Sequence, residues 1–517
     1  MEKEKKFMII GVLILLITLV GAAGTYAWFT WNSTNNTNLT MSIGASSDVI
    51  FKNGNDISTN KLAPVFNYTD GEKTSFTITN KSTTSFSYRI SLNITSIDNE
   101  LKNKSLKYKL VSNNTIITEG DFSNIESNSK NTLYEGELSK GNISYIFYLY
   151  IDGNEENNLN MINKSLVGTI TVEERKPALD TLNYLNSLNS TITLANDTPD
   201  FTKVSGNNGG KGDGTKGIYK AEDDLGTSYY FRGAVDNNYV KFANFYWRII
   251  RINGDGSIRM IYAGTSVHTN GESETNSYIS KTAYNSSYND NTFVGYMTGS
   301  TGATTYANTH SNKNNSTIKG VIDTWYKTNI EDKGYSSYVA DAIYCNDRSI
   351  ANDSATNSML TKANSSWTNT GLGYGTNVTA YGGFKRNWVD RMPSLKCPNN
   401  NDKFTKSSTL GNGKLTYPVA LITSDEIAYA GGSAYNFNTS SYIANKEFYL
   451  HTPSYYYWTL TPWAFAGGRS RVDIWNTTGY LDRVDVGDAR GARPAVSLSS
   501  VAISGGNGTI NNPFTVG

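Results

Sequence analysis

The sequence predicts a mainly β protein: an N-terminal membrane or signal helix, then a β-sandwich, then an α+β C-terminal domain. Three observations carry this. Residues 7–29 form a charge-free, mostly apolar run preceded by Lys3, Lys5 and Lys6. Apolar residues alternate with period two from about residue 38 to residue 172, the signature of strands with one buried face. Seven of the nine tryptophans fall after residue 216, among hairpin and helix signals.

The run at 7–29 is long enough to cross the ~30 Å hydrocarbon layer as a helix. The lysines before it make residues 1–6 a cytoplasmic tail, and Trp28, Phe29 and Trp31 suit the outer interface. Two outcomes stay open: a transmembrane anchor, or a signal peptide cut near Thr25-Tyr26-Ala27. Either puts the bulk of the chain outside the cell membrane, attached or secreted.

A chain of 517 residues is too long for one ordinary core. The net charge of +1 argues against nucleic acid as a partner. Charged residues make up only 18%, and Asn, Ser, Thr, Gly and Tyr replace them, a mixture that favours strands and turns. Aromatics at 12% supply core area that a disordered chain lacks. Cys345 and Cys397, the only cysteines, most simply form one disulfide in an exported chain; two buried thiols are the alternative. The many Asn-x-Ser/Thr triplets arise by chance in such a composition.

Residues 30–175 read as the sandwich. Phe76 and Ile78 alternate, as do Phe86, Tyr88, Ile90, Leu92 and Ile94, then Tyr145, Phe147, Leu149 and Ile151, and finally Leu166, Ile170 and Val172. Asp152-Gly-Asn-Glu-Glu-Asn157 reads as a hairpin turn. Residues 176–215 read as a linker: a short helix opening at Pro177, then the glycine-rich stretch Ser205–Gly214.

Residues 216–517 form the C-terminal domain. Asn253-Gly-Asp-Gly256 between two apolar runs predicts a hairpin. Ile318, Val321, Ile322 and Trp325 keep helical spacing after Ser316 as cap. Ser424-Asp-Glu-Ile-Ala-Tyr-Ala-Gly431 reads as cap, acidic first turn and glycine stop. Residues 265–315 and 350–385 read as long loops.

The segments Gly217-Ile-Tyr-Lys-Ala-Glu-Asp-Asp-Leu-Gly226, Phe245-Tyr-Trp-Arg-Ile-Ile-Arg-Ile252, Tyr417-Pro-Val-Ala-Leu-Ile-Thr-Ser424 and Gly491-Ala-Arg-Pro-Ala-Val-Ser-Leu498 resemble an uncharacterised extracellular domain of surface proteins from low-GC Gram-positive bacteria. The closing Gly-x-Arg-Pro-Ala-Val strand is similar to that of C-type-lectin-like and formylglycine-generating-enzyme-like folds. Thr25-Tyr-Ala-Trp-Phe-Thr-Trp31 resembles the signal region of camelysin- and TasA-like exported β-sandwich proteins. These resemblances imply a lectin-like domain carried outside the cell.

Residues in patterns that carry chemistry are few. His268, His310 and His451 lie in no nucleophile elbow or zinc-peptidase motif and read as surface or loop residues. Formylglycine-generating enzymes use a close cysteine pair, which Cys345 and Cys397 do not form in sequence. No cofactor is expected, although oxygen ligands from Asp473, Asp485 and Asp488 would suit calcium. Their alternation with arginines favours cross-strand ion pairs instead. Tyr456, Trp463 and Trp475 are the candidates for stacking on sugar rings, against a reading of the tryptophans as core. The leading expectation is a cell-surface binding or adhesion protein, recognising glycan or a neighbouring surface protein. The alternatives are a matrix or fibre subunit and, third, an enzyme.

Overall fold

A computed structural model describes residues 28–32, 49–53, 64–80, 86–155, 161, 164, 166–174, 177–272 and 277–517. Residues 7–27 of the expected anchor lie outside them. Trp28 and Phe29, expected to end that helix, belong instead to the strand Trp28–Asn32, in register with Leu166–Glu174. Aromatic residues favour such a ladder. Among the described residues no helix is long and apolar enough to cross a membrane. The chain divides into two compact units, Met1–Arg175 and Lys176–Gly517.

The first unit holds two largely antiparallel sheets. One runs Trp28–Asn32, Leu166–Glu174, Phe86–Ile97, Ser129–Leu138. The other runs Val49–Asn53, Glu72–Asn80, Gly141–Asp152, Leu106–Ser112, Thr115–Asp121. The alternation seen in sequence becomes the facing layers of one core. Phe76, Ile78, Tyr145, Phe147 and Leu149 come from one sheet, and Tyr88, Ile90, Leu92, Ile94 and Ile170 from the other. Burying each such side chain contributes about 1.5–3 kcal/mol. The Tyr88 and Tyr145 hydroxyls meet at 2.5 Å within this layer. The chain turns at Asp152 as expected, with the Glu155 amide bonded to the Asp152 carbonyl at 3.2 Å, but the strands on either side lie in different sheets, so the turn closes no hairpin; residues 156 and 157 of the expected turn lie outside the described residues.

The second unit is built on a larger, mixed sheet. Its central strands are Phe245–Ile252 and Ile258–Gly264, joined by the expected hairpin with Trp247 opposite Tyr262. A second sheet centres on Tyr457–Ala466, all ten residues of which are buried. Arg469–Trp475 and Leu481–Asp485 extend it as a meander. Arg490–Ala492 pairs in this second sheet, and Ala495–Leu498, just after it, pairs in the first.

Residues 176–215, expected as a linker, are part of this unit. Helix Pro177–Leu188 buries Ala178, Leu182 and Leu185 in its core. The glycine-rich stretch is held because the wholly buried Arg232 needs a counter-charge, which Asp213 supplies at 2.9 Å. Helix Thr317–Tyr326 is capped by Ser316 as expected. In helix Ser424–Ala430 the cap is Thr423, in a capping box with Glu426, and Ser424 is already helical. The expected loop at 350–385 contains a helix, Ser354–Ala363, whose cap Asp353 accepts from the Ala355 and Thr356 amides. Cys345 and Cys397 are disulfide-bonded.

Candidate functional site

The sequence candidates separate on burial. Trp463 and Trp475 are fully buried and offer no face to a ligand. Trp463 packs edge-on against Phe384 and Trp388, at 5.0 and 5.8 Å between ring centres. The indole of Trp475 donates to His451 Nδ1 at 3.2 Å. Trp463 lies on a strand buried along its length, and Trp475 ends the buried half of the next strand, so the core reading of the tryptophans holds. Tyr456 is 38% exposed, with the Arg490 guanidinium 5.3 Å from its ring centre.

Tyr456 precedes the strand Tyr457–Ala466, and Tyr480 precedes Leu481–Asp485 two strands away. Tyr457, Trp475 and Leu481 are in register, which brings the two tyrosines to one end of the sheet. The turn into Tyr480 is fixed by Asn476, whose Oδ1 accepts from the Thr478, Gly479 and Tyr480 amides. Gly479 has φ +100°, and a Cβ there would come within 3.0 Å of the Asn445 carbonyl. A glycine is required. Tyr435 is set beside Leu481 by a backbone bond of 3.2 Å to the Leu481 carbonyl. The loop beyond closes through reciprocal bonds between Asn436 and Ser441 and presents Tyr442, 45% exposed.

The rings of Tyr442 and Tyr480 stack at 4.3 Å and 22°. Tyr435 lies 6.4 and 6.1 Å from them. Burial, then the adjacent Asp482 carboxylate, raises the Tyr480 phenol above its ordinary range. Arg483 lies 4.9 Å over Phe437 and donates to Asp482 at 2.9 Å. The result is a partly exposed aromatic face with a charged rim. Sequence reasoning found Tyr456 and missed Tyr435, Tyr442 and Tyr480, because nothing local to residue 442 marks it as a neighbour of residue 480.

The acidic candidates are corrected in part. Asp485 takes Arg469 and Arg471 at 2.8 and 3.0 Å, the expected cross-strand pairing. Asp488 pairs with Arg490 two residues on. Asp473 pairs with no arginine among the described residues. It is fully buried and accepts from Ser424 Oγ at 2.7 Å and Trp388 Nε1 at 3.2 Å. Burial pushes its carboxyl up to about 8. The three do not converge on one point, and among the described residues no group of three or more His, Cys, Asp or Glu is placed to hold a metal ion. His268, His310 and His451 all lie in loops or turns, as expected, but His310 and His451 are buried rather than at the surface, and burial lowers the pKa of both, that of His451 to about 4.

A second feature is a small cavity of ≈ 30 Å³ beside Cys345. Glu426 lies at its wall between Arg251, 3.0 Å away, and Arg259, 3.3 Å away. Burial alone would raise the Glu426 carboxyl, but Arg259 and Arg251 hold it below the usual range. Arg251 also pairs with Asp223 at 2.7 Å, and Arg386 bridges Asp425 and Asp347 at 2.8 and 2.5 Å.

No family model matches the chain, and no curated protein matches it. Solved structures give partial likenesses. A family 35 carbohydrate-binding module from an environmental isolate is 18% identical, covering 25% of this chain and 88% of its own, with a TM-score of 0.15. The CBM35 of Cellvibrio japonicus Abf62 is 12% identical over 29% of this chain and 86% of its own, also at 0.15. The PA14 sugar-binding domain of an RTX adhesin is 9% identical over 29% of this chain and 90% of its own, at 0.13. At these scores no shared fold is defined.

Proposed function

We propose that the second unit is a lectin-like recognition module of a bacterial surface protein, held outside the cell by its N-terminal segment, and that it binds glycan on the tyrosine face. The stacked pair Tyr442–Tyr480, bordered by Tyr435 and Tyr456, carries this reading. Flat, partly exposed phenol rings match the apolar faces of sugar rings, and their hydroxyls stay hydrated. Asp482, Arg483 and Arg490 supply hydrogen-bonding groups at the rim. The disulfide agrees with an oxidising exterior.

A glycan array probed with the extracellular part tests it. Tyr442→Ala and Tyr480→Ala should each remove about 0.5–1.5 kcal/mol of stacking, roughly a two- to tenfold loss of affinity. An array without signal, or signals indifferent to a Tyr442→Ala/Tyr480→Ala/Tyr456→Ala variant with unchanged thermal stability, would overturn the assignment.

A further inference from the structure

Beside Tyr435 stands a half-buried guanidinium with no counter-charge, that of Arg391. Arg391 follows the helical turn Lys385–Asp390 and takes a left-handed backbone, φ +56°. A residue with a Cβ stays in that region only when its surroundings hold it there. Its own side chain supplies the hold. Nη1 donates to Ser433 Oγ at 3.0 Å and to the Ala434 carbonyl at 2.9 Å, and Nη2 donates to the Tyr435 carbonyl at 3.1 Å.

These bonds use three of the five N–H groups of a guanidinium and leave Nε–H and one Nη2–H. Among the described residues nothing accepts from Nε. Nε also keeps access to solvent, since it is not among the side-chain atoms that are both sealed and unpartnered. No carboxylate neutralises the group. Its chain neighbour Asp390 is taken by Lys385 at 2.9 Å, and Asp425 by Arg386. Burial lowers Arg391 to about 10 with no acid opposing the shift, so it stays a cation at neutral pH. The other arginines of the face differ: Arg483 pairs with Asp482 and Arg490 with Asp488, each at 2.9 Å. An anion meeting Arg391 displaces no partner, and a charge-assisted hydrogen bond is the stronger kind.

The position is as telling as the charge. Tyr435, whose carbonyl Arg391 holds, is the ring beside the stacked pair, 6.4 Å from Tyr442 and 6.1 Å from Tyr480. From the stack to Arg391 is therefore at most the span of one tyrosine and one ring spacing. That is the reach of a short oligosaccharide and not of a single sugar. We propose that the ligand of the tyrosine face is an acidic oligosaccharide, with one sugar stacked on Tyr442 and Tyr480 and a carboxylate or sulfate further along it accepting from Arg391 Nε. This rests on the tyrosine face being the glycan site.

An array that carries each oligosaccharide in neutral, uronate-bearing and sulfated versions, probed with the full chain, tests it. Acidic versions should bind about tenfold or more tighter than their neutral counterparts. Uronates alone responding assigns a carboxylate, sulfated versions alone a sulfate, and both together either anion. Arg391→Gln should bring the acidic-to-neutral ratio close to one. A residue that merely props the loop would weaken both versions alike, so an unchanged ratio overturns the proposal. Arg391→Lys, which keeps the charge, should retain part of the ratio and serves if the glutamine variant does not fold. Should neither fold, the parent decides: its preference for acidic versions should shrink as salt is raised, and a preference indifferent to salt overturns the proposal. Equal binding of acidic and neutral versions by the parent overturns it too and leaves the tyrosine face standing. Binding to no version overturns both.

Discussion

Replacing Asp473 with asparagine separates a neutral structural carboxyl from a cation ligand. The parent side chain is fully buried and receives two hydrogen bonds, and among the described residues it pairs with no cation. Burial, partly offset by the Ser424 and Trp388 donors, raises its pKa to about 8. The folded carboxyl is therefore protonated at neutral pH, whereas the unfolded one ionises near ~4. The folded state binds the extra proton across that window. Its stabilisation is complete below about pH 4 and is lost as pH rises through about 8. Roughly four pH units at about 1.4 kcal/mol each set an upper limit of about 6 kcal/mol. The substituted amide carries no proton to lose, and the Ser424 hydroxyl is free to turn and accept from it. Asp473→Asn should accordingly be more stable than the parent by about 1–3 kcal/mol at high pH and no more stable near pH 4. Urea unfolding of the second unit across that range, with calcium and with chelator, measures this. A variant less stable by a constant amount at every pH would refute the reasoning. So would calcium stabilising the parent alone, because Asp473 would then be ionised and carrying the ion.

Three further outcomes follow from the same structure. Cys345→Ser opens a closure spanning 52 residues and should cost about 4 kcal/mol in urea, with reductant producing the same loss in the parent; a midpoint indifferent to both would contradict it. Glu426→Ala leaves Arg259 without a carboxylate and Arg251 with Asp223 alone, and should cost about 3–5 kcal/mol by thermal unfolding, where a loss below about 1 would mean Arg259 finds another partner. Trp463→Ala should cost about 3–5 kcal/mol, whereas Tyr442→Ala, which gives up its stack on Tyr480, should cost about 0.5–1.5 kcal/mol while still weakening glycan binding. Equal stability losses for the two would contradict the division into core and surface.

What was legible in the sequence was what neighbours along the chain decide. Ile90, Leu92 and Ile94 announce their strand because alternation alone sends them to one face, and the hairpin at Asn253 announces itself by its glycines. Thr423 and Ser424 are both competent caps, and only the extended backbone of Thr423 chooses between them. The glycine-rich stretch looked free because its anchor, Arg232, lies on another strand. Asp473 could not be told from a surface carboxylate, since Trp388 and Ser424, which enclose it, are 85 and 49 residues away. The tyrosine face was illegible for the same reason: stacking of Tyr442 on Tyr480 is a property of the folded meander.

The passage from Arg490–Ala492 to Ala495–Leu498 leaves just Arg493 and Pro494 between ladders in two different sheets. Such a short strap has no slack. Neither layer can peel away without dragging its companion, so heat or pulling should disrupt the whole unit in a single step.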